Sequence, residues 1–404
     1  MTSNNHIWID SDRDLNDLVV RLSAGDAYAL DTEFHRERTY FPRLALMQFA
    51  WEENGRTEIA LVDPLRCDVR SLADLLSSDR VVVVHAAQQD LEVLAHSVGV
   101  TPPVLYDTQI AAGFLGFSSP SLANLVNAEL KTTLPKGDRL TDWLRRPLTD
   151  AQKQYAASDV EHLFEIRRRQ IERLEARGRL GWAEEAFAEM LSRRVGPLDP
   201  SLAWTRIKDQ RAMRPRTRGV LASLAAWREE RAMASDIPPR QVLADLALQG
   251  IAQREPKSIE ELSQARGVDD RHVRGGFAAE ILEAVRRGRE NPIELPTSDG
   301  DDLDRRLRPA VTLVSAWVSE VARREDIDPA ILGTRQDIVD FLCDRPDARL
   351  SIGWRFDVVG HHLADIVAGR AGLAFDGRGG LVLVGVPPQN DSFGLIPGNG
   401  RSEA

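Results

Sequence analysis

Leu30-Asp31-Thr32-Glu33 ends an apolar run, Ala27-Tyr28-Ala29-Leu30, and the reading of this stretch decides the rest. A short apolar run of this kind reads as a buried strand. Side chains at i and i+2 of a strand point to one face, so Asp31 and Glu33 stand side by side. Two such carboxylates repel each other and are costly to bury unless a cation sits between them. For an isolated Asp-x-Glu the commoner explanation is a strand end entering a solvated loop. The weight therefore falls on what surrounds the pair.

A chain of 404 residues is long enough for two or three domains. With 43% hydrophobic and 28% charged residues it has the composition of ordinary globular material. Its longest apolar runs are far too short to span a bilayer. No basic segment followed by an apolar one opens the chain, so a cytoplasmic location is expected. Cys67 and Cys343 have no ligand-like neighbours and read as small core residues of a reducing compartment. The net charge of −10 argues against a protein that coats nucleic acid. The charge is uneven, however. Arg206, Lys208, Arg211, Arg214, Arg216 and Arg218 are opposed only by Asp209, a local stripe that can meet phosphates or simply face water.

Strands are predicted at Ala27–Thr32, Leu44–Trp51, Glu58–Val62, Val81–His85 and Val104–Tyr106, with helices at Arg70–Leu76 and Asp90–His96. Three closely linked strands suggest an antiparallel meander, and the later strand–helix–strand pattern suggests parallel pairing. The expectation is a mixed sheet with flanking helices. From Leu122 to about Leu191 the pattern is helical throughout, with Thr149-Asp150 as a cap and Arg167–Arg169 on a solvated face. Breaks at Gly196-Pro197 and at Asn291 to Asp302 separate two further helical sections. These resemble each other at a period of 90 residues: Trp227 matches Trp317, Asp236-Ile237 matches Asp326-Ile327, and Pro239 matches Pro329. Two copies of this size read as a duplicated module, each able to hold a core.

Further acids join the first pair. Asp90 follows the strand Val81–Val84 where a helix begins, a position that is often only a cap. Tyr155 and Asp159 lie four apart on one helical face. Asp107 is a fifth acid without an obvious companion. Four carboxylates and a phenol meet the needs of phosphodiester hydrolysis with two divalent cations about 3.5–4 Å apart. Zinc is disfavoured because no Cys/His cluster has ligand spacing. A Gly-x-x-x-x-Gly-Lys phosphate loop is missing, which argues against a nucleotide-driven motor.

These segments resemble the three exonuclease motifs of the DEDDy 3′–5′ exonucleases, and within them the ribonuclease D family. The first motif continues as Phe34-His-Arg-Glu-Arg-Thr39-Tyr40-Phe-Pro42 through Gln48. Asp63-Pro64, Asp107-Thr108-Gln109, Leu122-Ala-Asn-Leu125, Lys136, Thr141-Asp142-Trp143 and Arg146-Pro147-Leu148 fit the family's intervening run. Tyr155-Ala-Ala-Ser-Asp159 is similar to the third motif. Trp204-x-Arg206-Ile207-Lys208 and Trp227-Arg-Glu-Glu resemble the linker and first HRDC domain, a helical fold shared with RecQ-type helicases. Gln89 stands where many relatives carry an acid.

The resemblance implies an α/β RNase H-like exonuclease domain over 1–195, a basic linker over 196–215 and an all-α HRDC domain over 216–290. A linker over 291–304, a second HRDC-type domain over 305–375 and a flexible tail over 376–404 would follow. It implies that Asp31 bridges two metal ions, most naturally Mg²⁺ with Mn²⁺ as the alternative. Glu33 and Asp159 would complete the nucleophile-side ion, and Asp90 would hold the leaving-group ion partly through water. Tyr155 would orient the attacking water, since a phenol of pKa about 10 is a poor base at pH 7. His85 has either a supporting or a purely structural role. The expected substrate is RNA with a free 3′ end, a tRNA precursor or other structured RNA, with Arg206 to Arg218 contacting it. No membrane and no obligatory protein partner are expected. The alternatives are a DNA exonuclease of repair and a non-catalytic RNA-binding protein.

Overall fold

The computed structural model describes residues 6–135, 137, 141–294 and 307–386, so Lys136 and most of the 291–304 and 376–404 segments lie outside the described residues. The chain divides into two compact units: residues up to 297, apart from 116–118, and the remainder.

A six-stranded mixed sheet organises the first unit. Its strands are β1 (Ile7–Ile9), β2 (Ala27–His35), β3 (Arg43–Glu53), β4 (Arg56–Val62), β5 (Val81–Val84) and β6 (Leu105–Asp107), in the order β1-β4-β3-β2-β5-β6. β2, β3 and β4 form the antiparallel meander, while β5 and β6 add in parallel beside β2. β3 is buried from Leu44 to Trp51, as a near-continuous apolar strand covered on both faces must be. β2 runs on past Thr32 to His35, with a bulge between Glu33 and Phe34. β1 and the helix α1 (Asp12–Ala24) add an N-terminal strand and helix to the predicted elements; α1 buries Leu15, Leu18 and Leu22 and is capped by Ser11.

The helices after β4 include α2 (Ala73–Leu76), α3 (Gln88–Ser97), α4 (Thr108–Gly113), α5 (Leu122–Leu130), α6 (Asp150–Glu161), α7 (Leu163–Ala176) and α8 (Leu180–Ser192). The predicted unbroken helical run from Leu122 to Leu191 is thus interrupted, because described residues between Lys131 and Leu148 are irregular. Lys131 ends α5 in a left-handed conformation that stops the helix. Thr149 and Gln152 form a capping box that starts α6 in a fixed place. Of the predicted solvated arginines, Arg167 is half-buried and lies over the Tyr106 ring.

Residues 196–215 are not a free linker. A 3₁₀ helix at Pro200–Arg206 sends Ala203 and Ile207 into the same core as Leu221, Trp227, Leu248 and Ile281. That core belongs to a helical module of α9 (Pro215–Ser235), α10 (Pro239–Val242), α11 (Asp245–Arg254), α12 (Ile259–Ser263) and α13 (Gly275–Glu290). The module is tied to the sheet through the loop after β2. The Tyr40 hydroxyl donates to Glu229 at 2.6 Å, and the Tyr40 and Phe41 amides donate to Asp236 at 3.1 and 3.0 Å.

In the second unit α14 (Arg308–Glu325), α15 (Pro329–Leu332) and α16 (Arg335–Leu342) repeat the order of α9, α10 and α11. The repeat reaches the backbone: Asp236 and Asp326 both end their long helices in the left-handed region, at φ 48° and 52°. After α17 (Gly353–Arg355), a π-helical turn at Phe356–Gly360 runs into α18 (His361–Val367). The segment read as a tail contains structure, since β7 (Ala371–Phe375) and β8 (Leu381–Gly385) pair as an antiparallel hairpin. No helix among the described residues is long and apolar enough to cross a membrane.

One ion pair braces the sheet from outside. Asp63, at the end of β4, has a side chain only 3% exposed, and Arg146 grips both its oxygens at 2.7 Å. Arg146 also donates to the Ala45 carbonyl at 2.6 Å. Removing one partner of such a pair leaves a buried charge uncompensated. Arg146→Ala should lower the unfolding free energy by about 3–5 kcal/mol. Urea denaturation measures this, and a loss below about 1 kcal/mol would mean that Asp63 finds water or another donor.

Candidate active site

The site is assembled from one strand and two helices. β2 presents Asp31 and Glu33, and α6, which packs across β2, β3 and β4, presents Tyr155 and Asp159 one helical turn apart. One carboxylate oxygen each from Asp31, Glu33 and Asp159 lie within 4.8 Å of one another. Asp90, in the first turn of α3, is outside that set but adjacent to it. The Thr32 hydroxyl hydrogen-bonds its carboxylate, and its charge acts on both Asp31 and Glu33.

The electrostatics follow from that crowding. Burial, then the neighbouring acids, holds the Asp31 carboxyl well above the usual carboxylate range. The same causes raise Glu33 to about 8, and burial raises Asp159 to about 7. Asp90 is raised by burial to about 6, with the Thr32 hydroxyl pulling the other way. A group of acids that must take up protons when left to itself is short of positive charge. All-oxygen donors of this kind suit hard divalent cations, and among the described residues this is the one cluster of three or more metal-ligating side chains. The donor set therefore fits such an ion.

Support around the acids explains how α3 is placed. Asp107 is buried; it accepts from the Gln109 and Ile110 amides, starting α4, and from the Ala86 and Ala87 amides at 3.1 and 3.0 Å. Ala86 sits at φ 59°, which is uncommon for a residue with a side chain, immediately before α3. Asp107 thus holds the sharp turn that aims Asp90. His85 is structural: its ring nitrogens lie 2.9 Å from the Thr108 hydroxyl and 3.1 Å from the Pro120 carbonyl.

Several contributors are invisible in the linear motif. Thr32 earns its place between the two β2 acids by reaching Asp90. Gln48 is fully buried, stands in cross-strand register with Asp31, and has no hydrogen-bond partner for its amide among the described residues. The Tyr155 ring packs beside Trp143, with centroids 6.1 Å apart, and any side chain at Gly137 would collide with it. Gln48 and Trp143 lie in stretches that already resembled the family's run; for Thr32 and Gly137 the signals were local, a Thr within Asp-x-Glu and a Gly in a polar loop.

The basic stripe does not survive as a unit. Arg218 is 4% exposed and donates to the carbonyls of Gln210, Arg211, Met213 and Ile293, so it braces the module and cannot meet a phosphate. Arg216 pairs with Glu255 at 2.8 Å. Arg206, Lys208, Arg211 and Arg214 are exposed.

Comparison with known proteins bears directly on this geometry. A family model described as 3′-5′ exonuclease matches residues 6–174, and one described as HRDC domain matches 217–285. Ribonuclease D of Gluconacetobacter diazotrophicus is 35% identical over 378 residues, covering 92% of this chain and 95% of its own. Ribonuclease D of Jannaschia sp. is 34% identical, covering 86% and 92%. The crystal structure of Escherichia coli RNase D, described as an exoribonuclease involved in structured RNA processing, superimposes with a TM-score of 0.81 at 31% identity. It covers 90% of this chain and 99% of that one. With near-full-length relatives sharing a third of their residues, and with the acids of β2, α3 and α6 gathered as described, the chain belongs to the ribonuclease D family and is a metal-dependent 3′–5′ exoribonuclease.

Proposed function

We propose that Asp31, Glu33, Asp90 and Asp159 hold two divalent cations, Mg²⁺ in the cell, and that the chain trims RNA from its 3′ end to nucleoside 5′-monophosphates. We place this activity in tRNA 3′ maturation or the turnover of stable RNA in the cytoplasm. The observation that carries the reading is the set of carboxylate oxygens within 4.8 Å of one another at the end of β2. When bound, the cations neutralise charge on the scissile phosphate and make water a competent nucleophile. The charges of Asp90, Asp159 and Glu33 all act on Asp31, which would serve both ions, and the Thr32 hydroxyl keeps Asp90 oriented. Tyr155 positions water, while Trp143 and Gly137 confine its ring. We also read the second helical module as a second HRDC domain, because its first three helices and its left-handed Asp326 repeat those of the first.

The direct test offers 3′-labelled structured RNA and matched DNA to the purified chain with Mg²⁺ and with EDTA. Release of labelled 5′-monophosphate from RNA, abolished by EDTA, is expected; preference for DNA would reverse the substrate assignment.

Asp31→Asn or Asp159→Asn should lower turnover by at least about a thousandfold, because each removes a ligand outright. Stability should respond in the opposite sense. Because these folded-state pKa values are raised, the metal-free protein binds more protons than the unfolded chain. The protonated site's contribution is complete below the ordinary carboxylate range and disappears as pH rises to about 8. Melting temperature in EDTA should therefore fall from about pH 5 to about pH 8, with a shallower fall in Asp31→Asn. A flat profile in the unsubstituted chain would show that the acids do not repel as described.

Tyr155→Phe should cut turnover by roughly a hundredfold while calorimetry shows Mg²⁺ affinity retained. Gly137→Ala should reproduce much of that defect by pushing the ring aside. If Mg²⁺ affinity collapsed in Tyr155→Phe, the phenol would be a ligand and not a positioning group.

A further inference from the structure

We propose that the cavity between the catalytic sheet and the first helical module binds the nucleotides lying 5′ of the scissile bond, taking phosphates on Arg194 and Arg206 and a base on His96. This rests on the exoribonuclease reading and adds to it a site that selects substrates with an unpaired 3′ strand.

The cavity is about 650 Å³. That lies within the roughly 300–1,000 Å³ that accommodates a nucleotide-sized ligand. Its place along the chain ties it to the carboxylates. β2 carries Asp31 and Glu33 and leads directly into Arg36, Tyr40 and Phe41, which form one wall. α3 carries Asp90 in its first turn, and the same helix continues that wall with Gln88, Glu92 and His96, in direct contact with Arg36 and Phe41. A strand whose terminal phosphate sits at the acids has this cavity beside it, reached along both elements at once.

The chemistry of the lining matches a single strand. Glu92 is engaged by Arg36 through two bonds of 2.6 and 2.7 Å, and Glu229 accepts the Tyr40 hydroxyl. Both wall carboxylates thus have partners. Arg194 and Arg206 are exposed, line the cavity and form no salt bridge among the described residues, although the charge of Arg194 is felt by Asp199. Phe41 and His96 are stacked with centroids 4.3 Å apart and planes at 1°. His96 is exposed, so the stack can be extended by a base, an interaction worth about 1–3 kcal/mol per base and tolerant of sequence. Two separated cations beside an aromatic plane suit a phosphodiester strand better than an acidic peptide, which has no rings to place there.

The test compares the full chain with Arg194→Gln/Arg206→Gln and with His96→Ala, using an unstructured RNA of about a dozen nucleotides and a dinucleotide. Fluorescence anisotropy in EDTA reads binding without hydrolysis; steady-state rates in Mg²⁺ read KM and kcat. For the double variant, Kd and KM for the longer RNA should rise roughly tenfold or more. The slope of log affinity against log salt should shrink by about 1.4, at about 0.7 for each lost phosphate contact. The loss should be confined to the longer RNA, with kcat held within about twofold. His96→Ala should weaken the longer RNA with its salt slope unchanged, which a purely electrostatic or structural role would not produce. Unchanged affinity and slope in the double variant would overturn the proposal, as would equal losses for the dinucleotide. If the double variant melts early, Arg194→Gln alone decides, with half the change in slope. Absence of hydrolysis by the unsubstituted chain would defeat the exoribonuclease reading, while the binding comparison in EDTA would still judge the cavity.

Discussion

Mutual repulsion among acids that the fold forces together is the constraint on which the rest depends. Asp31 and Glu33 cannot separate, because the pleat of β2 points both to one face. Asp159 is carried to them by a helix whose start is fixed by the Thr149–Gln152 box. Burial then denies all three the water that would screen them, and their proton affinities rise together. Such an arrangement is unfavourable for a metal-free fold and favourable for a site that must hold concentrated positive charge beside a phosphate.

Holding that arrangement takes a rigid surround, and the sheet supplies it through buried polar groups with assigned partners. Asp107 secures two turns at once, one launching α4 and the other, through the strained Ala86, launching α3. Asp63 and Arg146 lock the far edge of the meander to the irregular segment that precedes α6. These acids resemble the clustered acids of the candidate site in the sequence, yet theirs is a different task. Each faces donors where Asp31 faces other acceptors.

The first helical module belongs to the same compact unit as the catalytic sheet. Ala203 and Ile207 enter its core from a segment with the composition of a linker, and Tyr40 packs against that core from the loop after β2. Glu229 and Asp236, both on or ending α9, complete the attachment. The loop leaving the active-site strand is therefore shaped by a helix nearly two hundred positions away in the sequence. This gives the module a direct influence on the space next to the acids.

Local periodicity and spacing were enough to find the strands β2 to β6, the paired acids, the Tyr155–Asp159 helix face and the repeat joining Trp227 to Trp317. Each of these rests on neighbours within a few positions or on self-similarity, which a linear pattern records. β1 is too short to carry a pattern, whereas the helical spacing of Leu15, Leu18 and Leu22 in α1 was legible and was passed over. The hairpin of β7 and β8 was concealed by the glycines of its turn and by the apolar run being too brief to identify its partner. Which charges are free was decided only in three dimensions. Arg218 and Arg206 are equivalent in a stripe of basic residues, but one is surrounded by carbonyls and the other opens onto a cavity. Charge in a sequence is a property of the residue; its availability to a ligand depends on partners brought from distant parts of the chain.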